Sequence, residues 1–532
     1  MASRKPVPPA EFRPCEYFSF IQLFDCFPLS LIKEVLCTTD SNDRKERDLP
    51  NKYLVIFVIS LCFFSDKDHR AVFRILLETI KELFGPLVTF KVPVKSTFSE
   101  RRQNLGHEAF AELFRRVVRP IAIPNESIGA FFKGLRLVAL DSAQFAVQDT
   151  ADNESAFGRT KSADLPAAYP AIRACGLVEV GTRVLFDYEL GPVARPTLSR
   201  PKVDKVEKSV RVLRRAEFFK KFVERSRCNE IDLSKILLGR LKSDQLCLAD
   251  RGFAYYEPFR IGVSTGAKLL FRIRGDIKLD LIKLLKDGSY LAKLHPEDGR
   301  KTGTFVQVRV IEYTIGDDQA KETYRLITNI YDPNFASNQE LAELYHFRWE
   351  YEIAVNEQKS RLNVHLSQMR GKTAELILQE LIATFLAHFA MRKTMHSVAV
   401  KNRMDVDELS FKHSVEVVRN RAKQIATWPV EDVRQAIENE ILDERVEKQP
   451  NRSSPRVLKS LKRKYEVLPK SQRPPGRFGY KKKTASKPPT KILKRKIKDF
   501  SKDGSTKRIK KRSPTCKAER RAESRKVERK RR

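Results

Sequence analysis

The segment LRLVALDSAQFAV, residues 135–147, is an almost unbroken apolar run that holds one acid, Asp141, beside Val138, Leu140 and Phe145. Such a run reads as a core β-strand, and a carboxylate buried in one costs several kcal/mol unless a cation or hydrogen bonds compensate. The pattern recurs in QLCLADRGFAYYEPF, where a short apolar strand, residues 245–249, ends in Asp250 and is followed by an Arg251-Gly252 turn and an amphipathic helix. Between the two lie ACGLVEVG and TRVLFDYELGP, β-rich runs that join near Gly181-Thr182 as a hairpin. An acid just past a buried strand and ahead of a helix is where open α/β sheets place ligand-binding groups. The other reading, an aspartate that caps the following turn, is the commoner fate of aspartates and stays open for both.

A third acid sits in YHFRWEYEIAVNEQK, residues 345–359. Tyr345, Arg348, Glu352 and Lys359 are spaced so that, at about 100° per residue, they share a stripe roughly 60° wide on one α-helix. Glu350 and Glu357 lie well round the helix from that stripe, whereas Leu344, Phe347, Tyr351, Ala354 and Leu362 form an apolar stripe beside it. Taken alone, this is an ordinary salt-bridged surface. Residues 267–331, with AKLLFRIR, SYLAKL, TFVQVRVIEYTI and TYRLITNIY, read as a β-rich insertion between Asp250 and Glu352. Such an insertion leaves the Glu352 helix free to fold back, so that Asp141, Asp250 and Glu352 converge.

Charge narrows the partners. Residues 451–532 carry 33 Lys and Arg against 6 Asp and Glu, so +27 of the formal +36 lies in this tail and +9 elsewhere. That balance favours an anionic partner, nucleic acid before a membrane surface. The tail is too poor in apolar residues for a core and is expected to be disordered, giving salt-sensitive, sequence-independent DNA binding. Eight scattered cysteines without a CxxC pair point to a reducing compartment. No secretory signal is visible after the N-terminal charges, and the longest apolar run, residues 53–64, is too short to cross a bilayer. Residues 16 to about 125 read as an all-α unit, in which KSTFSERRQNLG offers Ser96, Thr97 and Ser99 as helix caps and Arg101 and Arg102 as phosphate contacts. A basic helix-turn-helix and a plain helix pair fit this stretch equally.

The Y-(2)-R-(3)-E-(6)-K pattern at Tyr345, Arg348, Glu352 and Lys359, with ALDSAQF around Asp141 and LADRGF around Asp250, resembles the insertion-sequence-four family of DDE transposases. STFSERRQNLG and RDLPNKYLVIFVISLCFF resemble the N-terminal domain of that family, so the similarity covers roughly residues 15 to 395. The resemblance implies an α/β fold: an RNase H-like catalytic core at 131–395 interrupted by the β-rich insertion at 267–331. A helical DNA-binding domain at 15–130 precedes it after a flexible start at 1–14, and C-terminal helices at 396–449 and the basic tail at 450–532 follow. It also implies cut-and-paste movement of a mobile element in the cytoplasm, at the nucleoid, of a bacterium-like host, with no membrane partner. The partners would be double-stranded DNA, as terminal inverted repeats and target, and a second copy in a synaptic complex.

On that reading Asp141, Asp250 and Glu352 are ligands for two Mg²⁺, with Mn²⁺ as a substitute. Three carboxylates are the hard oxygen donors these ions prefer, and Asp141 is expected to bridge them. Tyr345, Arg348 and Lys359 would hold the transposon end, and Arg251 would also contact DNA. The competing function is a non-catalytic or domesticated DNA-binding derivative. Two departures stand out. Some relatives cut through a DNA hairpin and stack a flipped base on a tryptophan of the insertion, but the two tryptophans here are Trp349 and Trp428, outside it. Tyr255, Tyr256, Phe259 and Tyr290 are the aromatics weighed for stacking, against the commoner fate of core packing. Residues 193–227 match nothing in the family pattern.

Overall fold

The computed structural model describes residues 21–43, 49–84, 92–162, 165–194, 229–296, 303–315, 322–362, 368–420 and 430–446. The expectations for the N-terminal start, Trp428, the basic tail and nearly all of 193–227 lie outside the described residues.

Six helices open the chain: α1 (Ile21–Cys26), α2 (Leu29–Thr38), α3 (Asn51–Ser60), α4 (His69–Phe84), α5 (Lys95–Leu105) and α6 (Glu108–Val117). The apolar run expected to be a buried helix is α3, whose Leu54, Ile56, Phe57 and Ile59 are shut off from solvent. Helix α5 begins two residues earlier than a cap at Ser96 would place it. Its N-cap is Val94 and no side chain caps it, so Ser96, Thr97 and Ser99 lie inside the helix.

The sheet then begins. After β1 (Phe131–Phe132) come β2 (Leu135–Ala146), the short helix α7 (Ala151–Phe157), β3 (Lys161–Ser162), β4 (Leu165–Pro166), β5 (Ala171–Glu179) and β6 (Leu185–Pro192). Next are α8 (Glu230–Leu238), β7 (Gln245–Ala249), α9 (Tyr256–Ser264) and β8 (Lys268–Arg272). Four more strands follow: β9 (Asp280–Leu284), β10 (Tyr290–Leu294), β11 (Val306–Ile315) and β12 (Glu322–Thr328). The spatial order is β6-β5-β2-β7-β8-β12-β11-β10-β9. Strand β5 is antiparallel to both its neighbours, β6 and β2, whereas β7 and β8 run parallel to β2. The β-rich stretch after Asp250 is therefore not a separate body. Its first strand, β8, is a parallel core strand, and β9–β12 extend the same sheet, because Leu326, Ile327 and Thr328 of β12 pair with Arg272, Phe271 and Leu270 of β8.

Both faces of the sheet around β2 are covered, which its nearly continuous apolar central strands require. Even-numbered residues of β2, Val138 and Leu140, join Leu233, Leu237 and Phe259 of α8 and α9 in one core. Odd-numbered ones, Leu137, Ala139, Ala143 and Phe145, face the opposite core with Tyr351 and Ala354.

That second core is built round one long helix. The chain leaves β12 through α10 (Asn338–Tyr345), capped by the reciprocal Ser337–Glu340 capping box, and passes a 3₁₀ turn (His346–Trp349), α11 (Glu350–Asn356) and a π-helical turn (Glu357–Leu362). It enters α12 (Ala374–Lys401), whose N-cap Thr373 accepts a hydrogen bond from the Leu376 amide, and ends in α13 (Phe411–Asn420) and α14 (Val430–Asp443). Helix α12 is long and apolar enough to cross a membrane, but 89% of its most apolar window is buried inside the protein. An apolar helix packed on all sides is a core helix, and α12 touches α1, α3, α5 and α6 as well as the C-terminal helices.

Candidate active site

The strand pattern places two acids side by side. Leu140 of β2 pairs with Ala249 of β7, so Asp141 and Asp250, each one residue further on, stand at the same level on adjacent parallel strands. Both follow a residue of the α8–α9 core and so face the opposite side, towards the Glu352 helix. On the other flank Asp141 is opposite Gly176, where a Cβ would collide with Leu185 and come within 3.5 Å of the Tyr351 hydroxyl. This glycine lets α11 settle directly on the sheet.

Residues 345–359 are helical throughout, though not one regular α-helix as the spacing suggests. The 3₁₀ turn tightens the chain around Arg348, and the π turn widens it from Glu357. Arg348, only 6% exposed, is aimed at the sheet. Its Nη1 donates to Asp141 Oδ2 at 3.0 Å, and Nη1 and Nη2 both donate to Glu352 Oε1 at 3.2 Å. One guanidinium thus bridges an acid of β2 and an acid of α11. Burial opposes its charge, but Tyr345, Asp141, Asp250 and Glu352 outweigh that and hold Arg348 above its usual value. Arg348 Nε and the Tyr345 hydroxyl are both buried without a hydrogen-bond partner among the described residues. Phe347 departs from the expected apolar stripe and is 44% exposed, because the 3₁₀ turn rotates it outwards.

The electrostatics agree with a cluster. Burial, then the charges of Asp250 and Glu230, push the Asp141 carboxyl up to about 7, against the Ser142 amide and Arg348, which favour ionisation. Glu230, the first residue of α8, is a fourth acid whose charge reaches this end of the sheet, and its place was not legible in the sequence. Lys359 stands apart from the other three members of its motif. Its Nζ lies 4.7 Å from the ring centroid of Phe145, four residues along β2 from Asp141, a distance of about 13 Å. Burial lowers its pKa.

Arg101 and Arg102 do not reach a DNA surface. Arg101 donates to Asp43, to the Leu49 carbonyl and to Asn51, and Arg102 donates through Nε to Gln379. They are 8% and 4% exposed, so the helix pair turns its arginines inwards to join helices of the N-terminal unit to one another and to α12. Arg251, directly after Asp250, is exposed.

Of the aromatics weighed for stacking, Phe259 is wholly buried on the far face and Tyr290 donates to Glu312. A different set adjoins the acids. Arg272 ends β8 beside Asp250, since Ala249 pairs with Phe271, and its guanidinium lies 3.9 Å from the ring centroid of Tyr324. Tyr324 stacks on Tyr313, its cross-strand partner, at 5.3 Å, and Tyr313 meets His346 edge-on at 6.5 Å. Neither tyrosine stands out in the sequence, since only the β11–β12 register brings them together. Trp349, 52% exposed, has Arg348 5.0 Å from its ring.

Fold and site together define an α/β protein in which Asp141 and Asp250 stand side by side on adjacent parallel strands and Arg348 links Asp141 to Glu352. Residues 18–115 match the family described as Insertion element 4 transposase N-terminal. The chain is 23% identical over 468 residues to transposase InsG for insertion sequence element IS4 of Escherichia coli K12, covering 84% of this chain and 94% of that protein. These matches support a transposase of the insertion-sequence-four family. Among solved structures, a piggyBac transposase synaptic complex with hairpin DNA, determined by cryo-EM, is 11% identical with a TM-score of 0.36, covering 84% of this chain and 90% of that one. That likeness is too slight to carry an argument.

Proposed function

We propose that the chain is a DDE transposase that cuts and rejoins DNA at the ends of its mobile element by metal-dependent phosphodiester chemistry. The observation that carries this reading is the placing of Asp141 and Asp250 side by side at β2 and the end of β7, with Glu352 of α11 linked to Asp141 through Arg348. The strand order, three antiparallel strands followed by two parallel to the first, supports an RNase H-like core with β9–β12 as its insertion. The donor types suit Mg²⁺ or Mn²⁺: Asp141 and Asp250 stand side by side on adjacent strands, and Glu352 is linked to Asp141 through Arg348. Burial first, then the charges of Asp250 and Glu230, raise the Asp141 carboxyl to about 7. Asp141, Asp250 and Glu352 would hold the ions, which when bound supply Lewis acidity and neutralise charge at the scissile phosphate.

The chain's own residues do the rest. Arg348 offers a planar fork that orients a phosphate, and the Tyr345 hydroxyl beside it is an available donor. Lys359 contributes a point charge further along the DNA end. Arg272, Tyr324 and Tyr313 form a platform on which an unpaired base stacks with its phosphate near the guanidinium. Tyr324→Ala should weaken end cleavage by about 1–3 kcal/mol, the worth of one stacked base, while Tyr324→Phe keeps the rate. Equal rates for Ala and wild type would remove the platform from the site.

The decisive test is cleavage of duplex DNA bearing the inverted repeats that flank the gene, with Mg²⁺. Wild type should cut and Glu352→Ala should not, with both binding the duplex equally. If the two proteins behave alike, the chain is a DNA-binding derivative and not an enzyme.

A further inference from the structure

The helix that carries Arg348 and Glu352 has a second side, turned away from Asp141, and that side is charged. Glu350 and Glu357, seven residues apart, are 8% and 4% exposed. Arg183, in the β5–β6 turn with φ at +59°, reaches both of them. It donates to Glu350 through Nε at 2.6 Å and Nη2 at 3.1 Å, lies 3.5 Å from Glu357 and pairs with Asp407 at 2.8 Å. Glu357 also accepts from Arg392 through Nε at 2.9 Å and through Nη2, and meets His388 Nε2 at 2.9 Å. Arg392 and His388 are wholly buried on α12. Burial alone would push the Glu357 carboxyl up, but Arg392, His388 and Arg183 outweigh it and hold it at about 2.

A buried ion cluster is a poor source of net stability, because desolvation offsets the Coulomb gain; what it can supply is one defined geometry. Here it ties together a sheet turn, the α11 helix, α12 and the segment before α13. Two anchors seven residues apart on one face fix both the roll and the axial position of a helix, which a single ion pair does not. Glu352 lies two residues beyond the first anchor, about 200° round the helix, and so is turned to the opposite side. At the second anchor the helix changes from α to π, a rare form often found at functional sites, and that turn carries Lys359.

We propose that Glu357 is a positioning residue for DNA cleavage: held by Arg183, His388 and Arg392, it sets the helix roll that presents Arg348 and Glu352 to Asp141 and the π turn that carries Lys359. The inference rests on the transposase reading above.

The test uses the full chain, duplex DNA bearing the flanking inverted repeats, and Mg²⁺. Glu357→Gln keeps the side chain's shape and loses its charge. The cleavage rate at saturating DNA should fall by about a hundredfold, the scale of a misplacement near 1 Å, while DNA affinity is unchanged. Arg183→Gln, on a different element, should give the same split. The double variant Glu357→Gln with Arg392→Met removes charge from both partners, leaves no uncompensated ion and should restore the melting temperature but not the rate. It also serves if the single variant fails to fold. A rate that recovers with stability, or a Glu357→Gln rate equal to wild type, overturns the positioning role. A wild type that does not cut overturns the transposase reading itself, and the two failures are read in the same gel.

Discussion

Asp141→Asn is expected to abolish end cleavage, by at least about a thousandfold, and at pH 8 to raise the melting temperature of the protein by a few degrees. The second effect follows from the burial and crowding of Asp141 within β2. Burial and the charges of Asp250 and Glu230 raise the Asp141 carboxyl from 3.8 to about 7. The folded protein therefore holds this proton more tightly than the unfolded chain does. The stability that this confers is full below about pH 3.8 and is lost as the pH rises through about 7. Asparagine keeps the shape and never ionises, so it escapes that loss. At 1.36 kcal/mol per pH unit the ceiling is about 4 kcal/mol; the partial exposure of Asp141 and the lost Arg348 contact reduce the expected gain to about 1–2 kcal/mol. Thermal melts at pH 4 and pH 8 check it. The variant should match wild type at the lower pH and exceed it at the higher, and equal melting at both would show that Asp141 carries no such strain. A carboxylate that costs stability at this position is consistent with the ligand role proposed for Asp141.

The acids themselves were legible because each breaks a local rule. An aspartate in LRLVALDSAQFAV or at the end of QLCLAD contradicts the apolar strand around it, and local contradictions of this kind concentrate at functional sites. The spacing of Glu352 with Arg348 correctly implied their ion pair, but that pair alone is an ordinary salt bridge, and only the upstream aspartates and the family resemblance singled Glu352 out. The inward turn of Arg101 and Arg102 was not, since a basic pair on a short helix reads the same whether its partners are phosphates or Asp43 and Gln379. The Tyr313–Tyr324 stack depends on strand register, which alternation does not fix for a chain with both faces covered. The Glu350 and Glu357 cluster depends on Arg183, 167 residues before Glu350. Sequence spacing set those two glutamates apart from Glu352 correctly but had no means of finding what they bind. The break of the helix into 3₁₀, α and π segments also escaped, because it is imposed by these tertiary contacts and not by local propensity.

Arg348→Lys should fail as a conservative replacement, with end cleavage lowered by about a hundredfold. The arginine serves two acids through two nitrogens, Asp141 at 3.0 Å and Glu352 at 3.2 Å, in a site where it is 6% exposed. A lysine ammonium is a single point charge and cannot span both while also presenting a planar fork to a phosphate. The same contact predicts a shift that needs no DNA. Mn²⁺ that binds only the folded protein stabilises it by about 2.7 kcal/mol at a hundredfold excess over its Kd, and the effect should appear as Asp141 loses its proton near pH 7. Arg348 favours the ionised carboxylate. Arg348→Ala should therefore leave Asp141 protonated to higher pH and move the midpoint of Mn²⁺-induced stabilisation in the alkaline direction. Proton and metal compete for the same oxygens, so the midpoint follows the carboxyl's own affinity for its proton. Melting curves with and without Mn²⁺ between pH 5 and 9 measure it. An unmoved midpoint would mean that the guanidinium exerts no pull on Asp141 in solution, and the bridge between β2 and α11 would lose its electrostatic role.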